Sequence, residues 1–215
     1  MLNRYLIIDD FYSNPDEIVE VALESQKEQK TPYGHGKGLL TTKFFLGQPL
    51  KELFQKLTLE PAIVSSADAN GRLLFQQSSD NSGFQVYADY KMNTLWTGGV
   101  YLSKDHPDVD GTCFWKHRRS GLEVAPTTLD GATKHGWDSF EDLDSTINDG
   151  GRDESLWEKT FTIPYRFNRL VLFRPWQFHS HGPAFGNSTE SGKSDKSEKV
   201  VQTLFFGGQK QDVQW

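Results

Sequence analysis

Two short segments of the sequence carry side chains that could bind a metal ion. Tyr87 and Asp89 stand two positions apart in a run of strand-forming residues, and His179 and His181 do the same near the other end of the chain. Residues two apart in a strand point to the same face. A non-haem iron site uses two His and one carboxylate on one face and leaves positions open for substrate and O₂. The two segments therefore predict iron chemistry at a place where two strands meet.

Three of these residues also have an ordinary structural alternative. Asp89 could close a turn with Lys91 and Asn93. His181 could supply an imidazole or only hydrogen-bond a neighbour. Tyr87 could pack its ring and donate its hydroxyl, and as a ligand it would first have to lose a proton with an ordinary pKa near 10. These alternatives stay open from the residues alone.

The elements that must position these side chains are mostly short strands. From about residue 72 to 206, apolar β-type runs are separated by Gly, Asn, Asp and Pro, which is typical of a sandwich or barrel. The predicted strands cover residues 73–75, 84–90, 95–102, 112–116, 160–163, 170–173 and 200–206.

The pattern of residues 1–60 predicts a strand and helices that flank the β-rich core, and two polar insertions interrupt the predicted strands of that core. A strand is predicted at 4–8, then a helix capped by Asn14, and a second helix at 50–57. The insertions are 118–156, with a short helix near 138–147, and 187–198. A β-rich chain of 215 residues is commonly one domain, so we expect a single domain over residues 1–215 with its core at 72–206.

Composition excludes several classes of function. Cys113 is the single cysteine, which rules out an intrachain disulfide and a thiolate zinc cluster, and we expect it to be buried. The net charge of −6 and the lack of a basic stripe argue against nucleic acid as a partner. No apolar run is long enough to span a membrane and the start does not resemble a secretory signal, so a cytoplasmic protein is predicted. His106 and His117 are expected at the surface.

Several stretches together resemble the prolyl-hydroxylase-like branch of the Fe(II)/2-oxoglutarate oxygenases. The start of the chain is similar to an uncharacterised bacterial subgroup of that family. The similar stretches are Tyr5–Pro15, Trp96–Ser103, Asp110–Gly121, Asn168–Phe173, Phe178–Ser180 and Lys199–Phe206.

The resemblance implies a mainly β protein with flanking helices (α+β), built on a double-stranded β-helix, or jelly roll. It implies Fe(II), 2-oxoglutarate as co-substrate, and hydroxylation of a small-molecule or peptide substrate. By correspondence, Asp89 is the carboxylate of the family's His-x-Asp motif, His179 is the distal His, and Lys199 binds the far carboxylate of 2-oxoglutarate. Arg169 is a rival for that last role, although a structural salt bridge is its alternative.

The sequence departs from the family at the first His, where Tyr87 stands. A second interpretation is therefore a non-catalytic jelly-roll binding module, a degenerate oxygenase that has lost one iron ligand. A metal-independent carbohydrate-binding jelly roll is a third.

Overall fold

The computed structural model describes residues 4–30, 38–65, 67–76, 84–91, 94–104, 110–181 and 199–207. The predicted insertion 187–198 and His106 lie outside these ranges. The strands are β1 (Tyr5–Ile8), β2 (Lys27–Lys30), β3 (Gly38–Thr41), β4 (Ile63–Val64), β5 (Leu73–Gln76), β6 (Trp96–Tyr101), β7 (Asp110–His117), β8 (Trp157–Pro164), β9 (Arg169–Phe173), β10 (His179–His181) and β11 (Lys199–Gly207). The α-helices are α1 (Pro15–Glu24), α2 (Gln48–Thr58), α3 (Leu129–Lys134) and α4 (Phe140–Asn148), and two 3₁₀ turns span Gly150–Arg152 and Glu154–Leu156.

Two antiparallel sheets form the core. In the described part of the chain, the larger has the order β1-β9-β6-β11-β5-β3-β2, with β4 beside β11, and the smaller has the order β10-β7-β8. A bridge between Tyr87 and His179 extends the smaller sheet beyond β10. Between β5 and β11 the chain passes repeatedly from one sheet to the other, which is the connectivity of a jelly roll. The predicted fold class, an α+β double-stranded β-helix, is confirmed.

Both faces of the larger sheet are buried at its centre, as β9 shows. Leu170 and Leu172 pack towards α1 and α2, whereas Val171 and Phe173 point between the two sheets. Such a strand reads as a continuous apolar run rather than an alternating one. The helices therefore cover the outside of the larger sheet and leave its inner face to form one wall of the barrel.

Residues 118–156 form a packed outer layer behind the smaller sheet. The predicted helix near 138–147 is confirmed as α4, whereas α3 was missed because six residues give little periodic signal. Trp137, Leu143 and Trp157 are buried in one cluster there. The segment is polar on average, but its few large apolar side chains point inward.

Three local predictions were wrong. Residues 84–90 pair only through the bridge at Tyr87 and do not form a longer strand. Asn14 stands at the N-cap position of α1 as predicted, but its side chain makes no capping hydrogen bond and its amide donates to Glu17 at 2.6 Å instead. His117 is buried rather than exposed, with its ring between the rings of Trp137 and Trp157. Cys113 is buried as predicted. Within the described residues, no helix is long and apolar enough to cross a membrane.

Candidate metal and co-substrate site

Backbone hydrogen bonds fix the segment that carries Asp89 against β10. The amide of Tyr87 donates to the carbonyl of His179 and the amide of His179 donates back, both at 2.9 Å. The amide of Asp89 donates to the carbonyl of Pro175 at 2.6 Å. Val86 and Ala88 are buried in the cluster behind the smaller sheet. The predicted alternation therefore holds locally, and Asp89 faces the interior of the barrel.

Asp89 and His179 face each other inside the barrel. Oδ2 of Asp89 lies 3.7 Å from Nε2 of His179, and their side chains are only 4% and 3% exposed. The hydroxyl of Thr97 donates to the same Oδ2 at 2.9 Å. The other carboxylate oxygen, Oδ1, is buried with no hydrogen-bond partner among the described residues.

The imidazole of His179 is oriented by its second nitrogen. Nδ1 lies 2.7 Å from the carbonyl oxygen of Gln177. Since a carbonyl only accepts, Nδ1 carries the proton, and the neutral ring then presents the lone pair of Nε2 towards Asp89. This arrangement, with one nitrogen donating to a backbone carbonyl and the other free, is the one that metal-binding His residues adopt.

Burial shifts both groups towards their neutral forms. It raises the pKa of Asp89 to about 7, against a smaller opposing effect of the Thr97 hydrogen bond. It lowers the pKa of His179 to about 4. Near neutral pH the imidazole is therefore uncharged, and the 3.7 Å contact is not a salt bridge. A cation bound to both side chains would favour the ionised carboxylate and the free Nε2 lone pair.

Tyr87 lies beside this pair. Its ring centroid is 4.4 Å from that of His179 and 5.7 Å from that of His181. Its hydroxyl is buried and has no hydrogen-bond partner among the described residues. Burial, and next the nearby carboxylate of Asp89, raise the pKa of Tyr87 well above its usual value. The phenol therefore stays protonated.

The donor set fits a divalent cation only in part. One imidazole and one carboxylate face each other across 3.7 Å, and both are side chains that bind divalent metals. His181 lines the same cleft, but no three His, Cys, Asp or Glu side chains in the described ranges are grouped closely enough to hold a metal ion. At Tyr87, where the resemblance predicts the first His, a phenol stands beside His179.

A cleft between the sheets joins this pair to Lys199. It encloses about 450 Å³, counting space open to solvent. Besides Asp89, His179 and His181, its lining consists of Gln76, Thr97, Gly98, Gly99, Tyr101, Thr112, Val171, Phe173, Lys199 and Val201. Lys199 is the first residue of β11 and is 7% exposed, and burial lowers its pKa to about 8. Two hydroxyls share the cleft, those of Tyr101 and Thr112, which are 2.6 Å apart.

Gly98, which lines the cleft, lets two strands of the larger sheet lie close together. Its φ of +148° is one that side chains disfavour, and a Cβ there would lie 2.0 Å from the carbonyl oxygen of Val171. Only glycine allows β6 and β9 to approach this closely.

Arg169 lies elsewhere. Its Nε donates to Oδ1 of Asp9 at 2.6 Å, and a second bond to the same carboxylate measures 3.1 Å. Arg169 does not line the cleft. Arg169 therefore forms a structural salt bridge with Asp9, which was the alternative to a role in binding 2-oxoglutarate. Among the described residues that line the cleft, Lys199 is the Lys or Arg side chain.

The sequence did not indicate Thr97, Gln177, Tyr101 or Thr112 as site residues. Gln177 acts through its backbone carbonyl, which no side-chain pattern can reveal. The signal for Thr97 was its place before the glycine pair Gly98-Gly99, which marks a strand that something approaches closely.

The chain has limited similarity to known proteins. The model of a family of unknown function, DUF6445, matches residues 88–184, a span that includes Asp89, Thr97 and His179. No curated protein is significantly similar to the chain in sequence. Among solved structures, iron-bound HygX from Streptomyces hygroscopicus has 11% identity and a TM-score of 0.41, over 95% of this chain and 82% of its own. The structure of HygX from the same organism with nickel and 2-oxoglutarate bound also has 11% identity, with a TM-score of 0.42, and the match covers 95% of this chain and 83% of that one.

Proposed function

We propose that this protein is an Fe(II)- and 2-oxoglutarate-dependent oxygenase that hydroxylates a small-molecule or peptide substrate. Asp89 and His179 would bind the iron, and Lys199 would bind the far carboxylate of 2-oxoglutarate. The observation that carries the proposal is the buried Asp89–His179 pair, with Nε2 aimed at the carboxylate across 3.7 Å inside a double-stranded β-helix. Buried ionisable groups with shifted pKa values in a cleft are typical of functional sites.

Iron with bound 2-oxoglutarate supplies the activation of O₂ that lets such a site oxidise a C–H bond. The chain's own residues have simpler tasks. The carbonyl of Gln177 holds His179 in the tautomer that leaves Nε2 free. Lys199 offers a positive point charge at the end of β11, which suits a carboxylate although it lacks the two-pronged geometry of Arg. Val171, Phe173 and Val201 give the cleft apolar walls.

Metal binding tests the proposal directly. We expect wild-type protein to bind Fe(II), or Co(II) as an air-stable substitute, with one site and weak affinity, because two protein ligands are fewer than the three of the usual iron site. His179→Ala should abolish that binding, whereas His135→Ala, which changes an exposed His after α3, should not. Anaerobic calorimetric titration measures both. Equal binding by wild type and His179→Ala would remove the site from the proposal.

Lys199 gives a separate prediction about the co-substrate. Because a hydrogen bond to a charged group contributes about 1.5–3 kcal/mol, Lys199→Ala should weaken 2-oxoglutarate binding roughly 10- to 100-fold while the protein stays folded. Lys159→Ala is the matched control, since Lys159 is an exposed strand Lys on β8. Titration of 2-oxoglutarate into each metal-loaded variant gives the affinities. An unchanged affinity in Lys199→Ala would dismiss this role for Lys199.

A second candidate is the non-catalytic binding module. The observation that favours it is Tyr87, whose protonated phenol stands beside His179 where the family has an imidazole ligand. In that case the cleft would bind an anionic small molecule or peptide through Lys199 without metal. Two observations together would support this function over the first: the protein binds no metal, and it binds 2-oxoglutarate equally tightly with and without Co(II).

A further inference from the structure

Thr97 connects Asp89 to a strand in the middle of the larger sheet. Thr97 is 2% exposed and lies in β6, which pairs with β9 on one side and β11 on the other. Its hydroxyl donates to Oδ2 of Asp89 at 2.9 Å. By contrast, the segment that carries Asp89 pairs with the smaller sheet only through the bridge at Tyr87. The side-chain hydrogen bond therefore ties the carboxylate to the opposite sheet.

This bond selects the orientation of the carboxylate. Rotation about the Cβ–Cγ bond of Asp89 is otherwise broad, because terminal sp³–sp² torsions have no sharp staggered wells. With Thr97 bonded to Oδ2, that oxygen lies 3.7 Å from Nε2 of His179, while Oδ1 has no partner among the described residues. A hydrogen bond to a buried carboxylate is also stronger than a neutral one.

We infer that Thr97 is a positioning residue, which holds the carboxylate of Asp89 in the orientation that faces His179. The inference rests on the proposed function, since the orientation matters for a metal held by both side chains. Partners that orient metal ligands in this way typically contribute 10- to 100-fold to metal affinity.

Co(II) binding of matched variants tests the inference. Thr97→Val keeps the shape of the side chain and removes the hydroxyl, and it should weaken Co(II) binding at least roughly tenfold. Thr97→Ser restores the donor and should bring the affinity back close to the wild-type value, with the wild-type Co(II) absorption spectrum. Thr160→Val, at an exposed position of β8, is the control for losing a threonine hydroxyl from a strand. Wild-type affinity in Thr97→Val, or failure of Thr97→Ser to restore it, would overturn the inference.

A cycle in the metal-free protein separates this inference from the proposed function. Thr97→Val, Asp89→Ala and the double variant are compared by thermal unfolding at pH 8. If Thr97 holds Asp89, the changes in Tm are not additive, and Thr97→Val costs several degrees only when Asp89 is present. Additive changes would contradict the inference even if metal binds. Absence of Co(II) binding by wild type together with non-additive changes would instead reject the proposed function and retain the orienting contact.

Discussion

Asp89→Asn is expected to make the metal-free protein more stable at pH 8 and to abolish its metal binding. In the folded protein burial raises the pKa of Asp89 to about 7, while the unfolded chain keeps an ordinary carboxyl near 3.8. Below about pH 4 the carboxyl is protonated in both states and does not lower the stability of the folded protein. The free energy of unfolding then falls as the pH rises from about 4 towards and through 7. The full difference between the two pKa values corresponds to roughly 4 kcal/mol. A neutral amide of the same shape avoids this penalty and can still accept from Thr97, so a gain of about 2–4 kcal/mol is expected at pH 8.

Urea unfolding at pH 4 and at pH 8 measures this effect. The two proteins should be close in stability at pH 4 and should separate at pH 8. Asp138→Asn, which changes an exposed carboxylate before α4, should show no such pH-dependent gain. Equal stability of Asp89→Asn and wild type at pH 8 would mean that the carboxylate is compensated in the folded protein. Wild-type Co(II) affinity in Asp89→Asn would remove Asp89 from the proposed ligands.

The two ionisable side chains buried in the cleft lower the stability of the folded protein. Asp89 and Lys199 line one cavity, and burial shifts the pKa of each towards its neutral form. Each therefore destabilises the empty protein at a pH where it would be ionised in water. A sequence selected only for stability would place apolar residues at both positions. Their presence is the physical reason to look for function in this cleft.

The fold was largely predictable because its strands are short apolar runs with clear breaks. β9 is apolar on both faces, since one face packs on helices and the other on the second sheet. β11 is buried along its whole length, although it also carries Lys199, Gln202 and Thr203. β2 was missed because Lys27–Lys30 is wholly polar and lies at the edge of the larger sheet. The predicted strand at 84–90 reduces to one bridge, because the amide of Asp89 bonds to Pro175 instead of continuing the pairing with β10.

The site was predictable only where it depends on local spacing or resemblance. The proximity of Asp89 and His179, ninety positions apart, was an expectation of the resemblance, and the structure brings them together. The link from Thr97 to Asp89 depends on how β6 lies across an irregular segment, which no local pattern encodes. The bond from Arg169 to Asp9 joins residues 160 positions apart. Such contacts follow from register and packing, so they became visible only in the folded chain.

Tyr87→His is expected to convert a weak metal site into a tight one. Tyr87 is the bridge partner of His179, and its ring lies 4.4 Å from that imidazole, so a His there would stand beside the two proposed ligands. It would complete two imidazoles and one carboxylate on one face, the arrangement that non-haem Fe(II) prefers. The change also removes a buried hydroxyl that has no partner among the described residues. We expect the affinity for Fe(II) or Co(II) to rise by about 10- to 100-fold, which corresponds to roughly 1.4–2.8 kcal/mol.

Anaerobic titration of wild type, Tyr87→His and Tyr87→Phe, side by side, decides what Tyr87 does. Wild type should purify with little or no iron, and Tyr87→Phe should bind metal as wild type does, because burial keeps the phenol protonated and prevents it from acting as a ligand. Tight stoichiometric binding by wild type that is lost in Tyr87→Phe would instead make the phenolate a true ligand. Absence of binding by both wild type and Tyr87→His, with the fold intact, would favour the binding module, because a completed ligand set that still takes no metal cannot be an iron site.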